Sequence, residues 1–404
     1  MTGPTSPSTA HDEPRRSKTL TSTPQIRYRE LLVTSPWLRE NRAITADTGW
    51  STTATTGAFS GALLVSALIG IPVGRVLDHR GPRAVMTTGS VLGVIAILLV
   101  ARAPNLTIFT AAWLLAGVAM AATFYQPAFA ALTRWWGEDR VRALTVVTLA
   151  GGLASTVFAP LTALLVEYLG WRTTYAVLAV FLAAITIPVH AFALRGPWPP
   201  APSHPTRQVD GSRSVARSRP FLLLAAAFTL NGFAMYAVVI ALVPLLMERG
   251  ASAAAAAWAL GLGGAGQTLG RTLYSSLVRR TGVATRTVAL IGLSAATTAL
   301  LGAIHGPIPL LIALAVVAGM VRGNLTLLQA TAVTERWGAA HYGRFSGLLA
   351  APVTVASALS PFVGAALAAE LGGYPTLFAV LATVSVLAAV IDAGASRKRR
   401  ISGN

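Results

Sequence analysis

The chain has 404 residues, of which 54% are hydrophobic and only 11% are charged, whereas about a quarter of the residues of a soluble domain are charged. This composition excludes an ordinary soluble protein and a disordered chain, and the absence of cysteine excludes a disulfide scaffold. A net charge of +18 would suggest nucleic acid as a partner of a soluble domain. Here the basic residues lie between apolar runs, so no nucleic-acid partner is predicted.

Eleven apolar stretches are long enough to cross a bilayer, because roughly 20 helical residues span its hydrocarbon core. In chain order they are Thr52–Leu77, Ala84–Ala101, Leu106–Leu132, Leu144–Leu169, Thr173–Leu194, Phe221–Met247, Ala253–Val278, Val288–Ile304, Ile308–Val333, Phe345–Leu371 and Thr376–Ala395. Most are rich in small residues, which let helices pack closely in lipid. The sequence therefore predicts an all-α membrane protein that has the lipid bilayer as its surroundings.

The connections between these stretches predict the orientation of the chain. Most loop arginines follow the first, third, fifth, seventh and ninth stretches or lie in the C-terminal tail, whereas the alternate loops hold only Arg102, Arg172 and Arg249. Because basic loops remain in the cytoplasm, the first set of loops and the C-terminus are predicted to be cytoplasmic. The Pro- and Arg-rich segment Gly196–Pro220 is predicted to be a cytoplasmic linker.

An internal repeat divides the chain into two halves. Four residues of the first stretch recur 196 positions later: Gly70, Gly74, Arg75 and Leu77 correspond to Gly266, Gly270, Arg271 and Leu273. Three further residues recur 201 positions later: Trp136, Gly137 and Pro160 correspond to Trp337, Gly338 and Pro361. The predicted organisation is a polar, disordered segment over 1–49, a helical bundle over 50–195, the linker 196–220, a six-helix bundle over 221–396 and a basic tail over 397–404.

The front half lacks a counterpart of the stretch Phe221–Met247. Its place, near residues 20–46, is polar, and its longest apolar piece is Leu31-Leu32-Val33. The front bundle is therefore predicted to have five spans and the back bundle six. A real loss of the first helix and a misread gene start both explain this, and the choice between them stays open.

Two tandem bundles joined by a cytoplasmic linker resemble the major facilitator superfamily (MFS) of secondary transporters. The loop Gly74-Arg75-Val76-Leu77-Asp78-His79-Arg80-Gly81-Pro82-Arg83 is similar to the signature of that family between its second and third helices. The resemblance implies a two-bundle MFS fold with about 11 of the usual 12 transmembrane helices. It also implies a conformational latch formed by Gly74, Asp78, Arg80, Gly81 and Arg83, in which Asp78 fastens the halves against the helix start near Gly343–Ser346. The alternative is a basic turn with no moving part.

Arg322 is the first candidate for substrate binding. It lies near mid-depth of the ninth stretch, where an unpaired charge costs several kcal/mol, so such residues commonly mark a site. Asn324 and Gln329 extend a polar stripe along the same helix. A guanidinium binds carboxylates and phosphates through two parallel hydrogen bonds, which predicts an anionic substrate. Alternatively, Arg322 binds carbonyls of neighbouring helices and has a structural role.

Further candidates lie in two other helices. Tyr125 and Gln126 precede Pro127, and Asn231 and Tyr236 place polar groups on the first helix of the back half. Broken or polar helices at mid-depth commonly line substrate paths, although a packing role explains these residues equally well. Arg271 is expected to extend to the cytoplasmic face in a structural role. The family resemblance implies an alternative, because some organic-anion carriers of the MFS use a basic residue in the same helix.

The sequence contains no catalytic cluster, metal-ligand spacing or phosphate-binding loop, so neither an enzyme nor a cofactor is predicted. The predicted function is secondary active transport of a small, anionic organic solute across the plasma membrane by alternating access. A coupling ion is left open as a second ligand. The alternative is an incomplete MFS-like protein that does not transport.

Overall fold

The computed structural model describes residues 43–199 and 211–401, and within these ranges the side chains of residues 153–156, 159, 160, 163, 211–213, 253 and 395–401 are not described. All regular secondary structure in the described ranges is helical. The predicted all-α fold is thereby confirmed. Residues 1–42 of the predicted N-terminal segment, 200–210 of the linker and 402–404 of the tail lie outside the described residues.

Twelve helices form the framework of the described residues, together with a helical turn at residues 43–48. They are α1 (Thr52–Arg80), α2 (Pro82–Arg102), α3 (Leu106–Thr123), α4 (Tyr125–Trp136), α5 (Arg140–Pro188), α6 (Gly211–Arg217), α7 (Arg219–Glu248), α8 (Ala253–Arg280), α9 (Val283–Ala303), α10 (Ile308–Trp337), α11 (Tyr342–Glu370) and α12 (Tyr374–Ile401). A 3-10 turn, Gly137–Asp139, joins α4 to α5, and a π-helical turn, Val189–Ala193, follows α5.

Each of the eleven predicted apolar stretches is helical over nearly all of its length. The third is interrupted at Phe124, whose extended backbone separates α3 from α4. The fourth and fifth run together as α5, which is broken at Gly170, where φ is 73°. By length and apolar composition, nine stretches of the described residues are able to cross a membrane, with Leu106–Gly152 counted as one. The helix α8 is not among them, because its glycines and Gln267 lower its mean hydropathy.

Polar caps explain where several helices begin. The side chains of Ser51, Asn105, Ser218 and Ser252 each accept a hydrogen bond from a backbone N–H in the first turn of α1, α3, α7 and α8, respectively. Such caps satisfy N–H groups that have no partner within the helix. The cap at Ser218 starts α7 at Arg219, two residues before the predicted boundary.

The helices form a front half, α1–α5, and a back half, α7–α12. We call the end of the bundle that carries the loops at residues 80–82, 136–140, 280–283 and 337–342 the basic end, and the other end the opposite end. The halves meet along two seams, α1 against α11 and α5 against α8. Within the back half, Gly266 and Gly270 of α8 lie directly against backbone carbonyls of α10. Small residues therefore determine how closely the helices approach.

The helical turn at residues 43–48 corrects part of the predicted disordered segment. Ile44 is only 1% exposed and packs in an apolar cluster of the front half, at the opposite end. The Asp47 carboxylate accepts a hydrogen bond of 2.9 Å from Trp171 Nε1. The segment was predicted to be disordered because it is polar overall, but the buried Ile44 and the Asp47 carboxylate attach it to the bundle.

An ion pair lies buried at the basic end of the back half. Arg286 Nη2 of α9 lies 2.5 Å from Glu335 Oε1 of α10, with side-chain exposures of 1% and 8%. The guanidinium of Arg286 also lies over the ring of Tyr274, and the Tyr274 hydroxyl is 2.6 Å from Thr331 Oγ1. These contacts join α8, α9 and α10 within one half.

Candidate functional site

A cavity of about 990 Å³ lies between the two halves. Its wall is built by α1, α3 and α4 of the front half and by α7, α8, α10 and α11 of the back half. It extends from Tyr342 and Ser346, near the basic end, to Thr56 and Pro361 toward the opposite end. Clefts of this size and position are typical binding sites for small molecules.

Arg271 contributes the one positive charge among the described residues of the cavity wall. It lies on α8 and is 5% exposed, and its Nη1 donates a hydrogen bond to the backbone carbonyl of Thr148 on α5. The same nitrogen would be 2.6 Å from a β-carbon at Gly152, so the absence of a side chain there makes room for the guanidinium. The expectation that Arg271 extends to the cytoplasmic face was wrong, because α8 turns it toward α5 and the cavity.

The cavity wall contains no Asp, Glu, Lys or His among the described residues. The Nε of Arg271 is buried without a hydrogen-bond partner in the described part of the chain, and so is Oδ1 of Asn231, another wall residue. A buried polar group without a partner costs about 1–3 kcal/mol. The described part of the wall therefore carries one positive charge, and two of its polar atoms are buried without a hydrogen-bond partner.

Five of the seven predicted substrate-binding residues line this cavity: Tyr125, Gln126, Asn231, Tyr236 and Gln329. Tyr125 and Gln126 begin α4 immediately after the interruption at Phe124, so the break in this helix directs both residues to the cavity. Gln267 of α8 also lines it and was not predicted. Its position four residues before Arg271, on the same helical face, was the signal in the sequence.

Arg322 and Asn324 lie outside the described cavity wall. Arg322 is 7% exposed, and its Nη2 would be 3.3 Å from a β-carbon at Gly263, which places it between α10 and α8. Asn324 is 8% exposed and donates a hydrogen bond of 2.9 Å to the Met320 carbonyl of its own helix. Binding of substrate by these two residues therefore stays a prediction.

The basic end of the cavity is closed where α1 meets α11. Asp78 accepts two hydrogen bonds of 2.9 Å, from the backbone N–H of Gly343 to Oδ1 and from that of Arg344 to Oδ2. Gly343 and Arg344 lie in the first turn of α11, where N–H groups lack partners in the helix and the helix dipole favours a negative charge. Asp78 thus bridges the two halves with the geometry of an anion at a helix N-terminus.

Other predicted latch residues have different surroundings. Arg80 is exposed, and Arg83 donates a hydrogen bond of 3.0 Å to the Ala191 carbonyl within the front half. Gly81 has a φ of 75° and forms the turn between α1 and α2. A β-carbon at Gly74 would overlap the Gly343 carbonyl. Asp78 and Gly74 thus contact the other half directly.

Arg134 and Trp198 support the same junction and were not predicted as functional. Arg134 donates to the Asp78 carbonyl at 2.9 Å and to the Ala340 carbonyl of the back half at 3.0 Å. The indole of Trp198, at the start of the linker, donates to the Asp78 carbonyl at 3.2 Å, and Arg134 lies 4.6 Å from its ring centroid. Sequence alone does not show that these two residues, distant along the chain, meet at Asp78.

We expect Gly74→Ala to separate α1 from α11 and to lower stability by about 1–3 kcal/mol, because the added methyl group meets the Gly343 carbonyl. Thermal unfolding of the purified protein in detergent measures this loss. Gly57→Ala is the matched control on the same helix, since nothing lies within 4 Å of its β-position. Equal melting temperatures for the two variants would contradict the close approach of α1 and α11.

The fold defines a helical membrane protein with two bundles and a central cavity. Its sequence matches the family model described as Major Facilitator Superfamily over residues 40–282 and again over 224–400. The chain belongs to this family, whose members are transporters and not enzymes. The expected resemblance is thereby confirmed.

Several relatives are transporters by name. Monocarboxylate transporter 13 of Bos taurus is 30% identical over 207 residues, which are 50% of this chain and 47% of that protein. An MFS-type transporter of Gibberella moniliformis is 23% identical over 77% of this chain and 74% of its own length. The chain spans about half the length of the first of these curated relatives.

Solved structures show the same fold. The MFS transporter FucP, in the outward conformation, matches with a TM-score of 0.67 and 15% identity, over 91% of this chain and 98% of FucP. The human organic anion transporter MFSD10 matches with a TM-score of 0.68 and 17% identity, over 88% and 89% of the two chains. At these identities the likeness concerns the fold alone.

Proposed function

We propose that this protein is a secondary transporter of a small organic monocarboxylate, which it moves across the membrane by alternating access between its two halves. Arg271 is the observation that carries the proposal. A guanidinium in the wall of a cavity between two bundles attracts one carboxylate and holds it through paired, charge-assisted hydrogen bonds. The name of the relative monocarboxylate transporter 13 agrees with this substrate class.

The charge of the wall favours a monoanion. Its described part combines one guanidinium with neutral amides and hydroxyls, from Gln126, Asn231, Gln267 and Gln329 among others. A monocarboxylate neutralises that single charge, whereas a neutral solute leaves the guanidinium without an anionic partner in an apolar environment. Because an unpaired charge at depth in the membrane costs several kcal/mol, the substrate offsets a cost that the empty site carries.

The proposed orientation places the basic end in the cytoplasm of the cell, in the plasma membrane, with the C-terminus on the same side. Its support is the distribution of arginine, which is concentrated in the loops of this end. In this orientation the cavity is closed toward the cytoplasm and extends toward the outside. The contact of Asp78 with α11 then acts as the latch of that conformation.

Replacing Asp78 with asparagine should weaken the latch. The variant keeps the size of the side chain but loses the negative charge at the N-terminus of α11, which stabilises the closed basic end by about 1–2 kcal/mol. The fraction of molecules closed at the basic end should fall accordingly. Because the chain has no cysteine, a single Ser60→Cys substitution in the cavity wall reports this change through its rate of labelling by an impermeant maleimide.

We expect Asp78→Asn to slow labelling of this introduced thiol from the opposite end by about fivefold to tenfold. Asp139→Asn is the matched control, since Asp139 is exposed at the same end of the bundle. Unchanged labelling in Asp78→Asn would show that the contact does not control the conformational equilibrium.

The transport proposal itself is tested with purified protein in liposomes. Uptake of radiolabelled pyruvate, phenylacetate and glucose is measured against protein-free liposomes, with and without a proton gradient. Saturable uptake of carboxylates but not of glucose supports the proposal, and the gradient dependence identifies proton coupling. Absence of uptake of every carboxylate by folded, reconstituted protein would contradict it and favour the non-transporting alternative.

A further inference from the structure

We infer that the substrate is an arylcarboxylate, a monocarboxylate carrying an aromatic ring, with the ring held between Tyr125 and Tyr236. This inference rests on the proposed function, since it names the substrate class of the same site. Its starting point is the arrangement of aromatic side chains around Arg271, which a site for a short-chain acid does not require.

Tyr125 lies beside the guanidinium on the side of the front half. Its hydroxyl lies against Gly151 of α5, and Arg271 Nη1 lies against the adjacent Gly152. The ring of Tyr125 is stacked on that of Phe129, with centroids 5.1 Å apart and an interplanar angle of 22°. Phe129 is 7% exposed whereas Tyr125 is 37% exposed, so Phe129 supports one face of Tyr125 and the remaining surface of Tyr125 is open to the cavity.

Tyr236 lies on the side of the back half, on α7. It is 45% exposed and lines the same cavity. Arg271 and Tyr125 line this cavity as well, so Tyr236 of the back half shares it with the guanidinium and with Tyr125. The cavity that contains Arg271 is therefore lined by one tyrosine from each half of the protein.

The rest of the nearby wall is also rich in aromatic surface. Phe59, Phe124 and Phe228 line the cavity, and Phe124 is 55% exposed. A two- or three-carbon acid would occupy a small part of a cavity of about 990 Å³ and leave this surface in contact with water. An aryl group covers it, because aromatic rings attract one another in stacked and edge-to-face geometries with centroids about 4.5–7 Å apart.

The two parts of the site match the two parts of the ligand. The carboxylate binds Arg271, and the ring lies between side chains contributed by separate halves. A ligand that contacts both halves differs in its contacts between the two conformations of the carrier, so its binding can shift the conformational equilibrium.

The test compares three acids in proteoliposomes: phenylacetate, cyclohexylacetate and acetate. Phenylacetate and cyclohexylacetate have similar sizes, but only the first has an aromatic face. We expect the kcat/KM of phenylacetate to exceed that of cyclohexylacetate about threefold or more and that of acetate at least about tenfold.

In Tyr125→Leu and Tyr236→Leu, the KM of phenylacetate should rise about threefold to tenfold while that of acetate stays constant. Phe181→Leu is the control, an exposed aromatic residue outside the described cavity wall.

The outcomes separate this inference from the proposed function. Saturable uptake in which acetate, cyclohexylacetate and phenylacetate have equal kcat/KM leaves the monocarboxylate carrier intact and overturns the arylcarboxylate site. An equal loss of acetate and phenylacetate uptake in both tyrosine variants also overturns it, because it reveals a structural role. Absence of uptake of all three acids overturns the proposed function and the inference together.

Discussion

Replacing Arg271 with glutamine is expected to reduce saturable carboxylate uptake strongly. The variant removes the single positive charge among the described residues of the cavity wall and with it the charge-assisted hydrogen bonds proposed for the carboxylate. Losing such a pair costs about 2–5 kcal/mol, so kcat/KM should fall at least about 30-fold and up to several thousandfold. Proteoliposome uptake of a labelled carboxylate measures the effect.

Two comparisons determine how the result is interpreted. Arg280→Gln changes an exposed arginine at the end of the same helix and should leave uptake unchanged. Arg322→Gln removes the other intramembrane arginine, which the sequence favoured as the substrate ligand. Loss of uptake in Arg322→Gln with normal kinetics in Arg271→Gln would transfer the anion site to Arg322 and contradict the assignment made from the cavity.

Removing Glu335 is expected to have the largest effect on stability. Glu335→Gln leaves Arg286 charged in surroundings where its side chain is 1% exposed. Breaking a buried ion pair by removing one partner costs about 3–5 kcal/mol, because the remaining buried charge has no anionic partner. The melting temperature of the purified protein in detergent measures the change, and Glu138→Gln, at an exposed acid, is the control.

A double variant distinguishes the loss of a partner from a change of shape. Arg286→Met with Glu335→Leu removes both charges and keeps apolar volume, so it should recover most of the lost stability. If the double variant is as unstable as Glu335→Gln, the loss of stability comes from the changed shape of the side chains, and the explanation by an unpaired buried charge is wrong.

Local patterns were sufficient to predict the helices, and the family resemblance implied one contact between the halves. The apolar stretches located the long helices of the described residues, because lipid requires each crossing segment to be a continuous helix of known length. The resemblance of the signature loop to that of the MFS implied that Asp78 lies near the start of α11, and Asp78 accepts hydrogen bonds from the first turn of that helix. The composition of the polar segment before α1 did not predict its helical turn, because a single buried residue, Ile44, is enough to attach this turn to the front half.

The depth of a charged residue along a helix follows from sequence, and both Arg271 and Arg322 are intramembrane arginines on that criterion. Which of them faces a cavity depends on the rotation of α8 and α10 about their own axes. That rotation is determined by close contacts between glycines and backbone carbonyls of the two helices, such as Gly323 against the Gln267 carbonyl. The sequence by itself determined the number and length of the apolar stretches and the depth of each charge along them, because these quantities depend only on position along the chain. Packing between distant segments placed Arg271 beside Tyr125 and left Arg322 between helices, because side-chain direction depends on contacts that no local pattern contains.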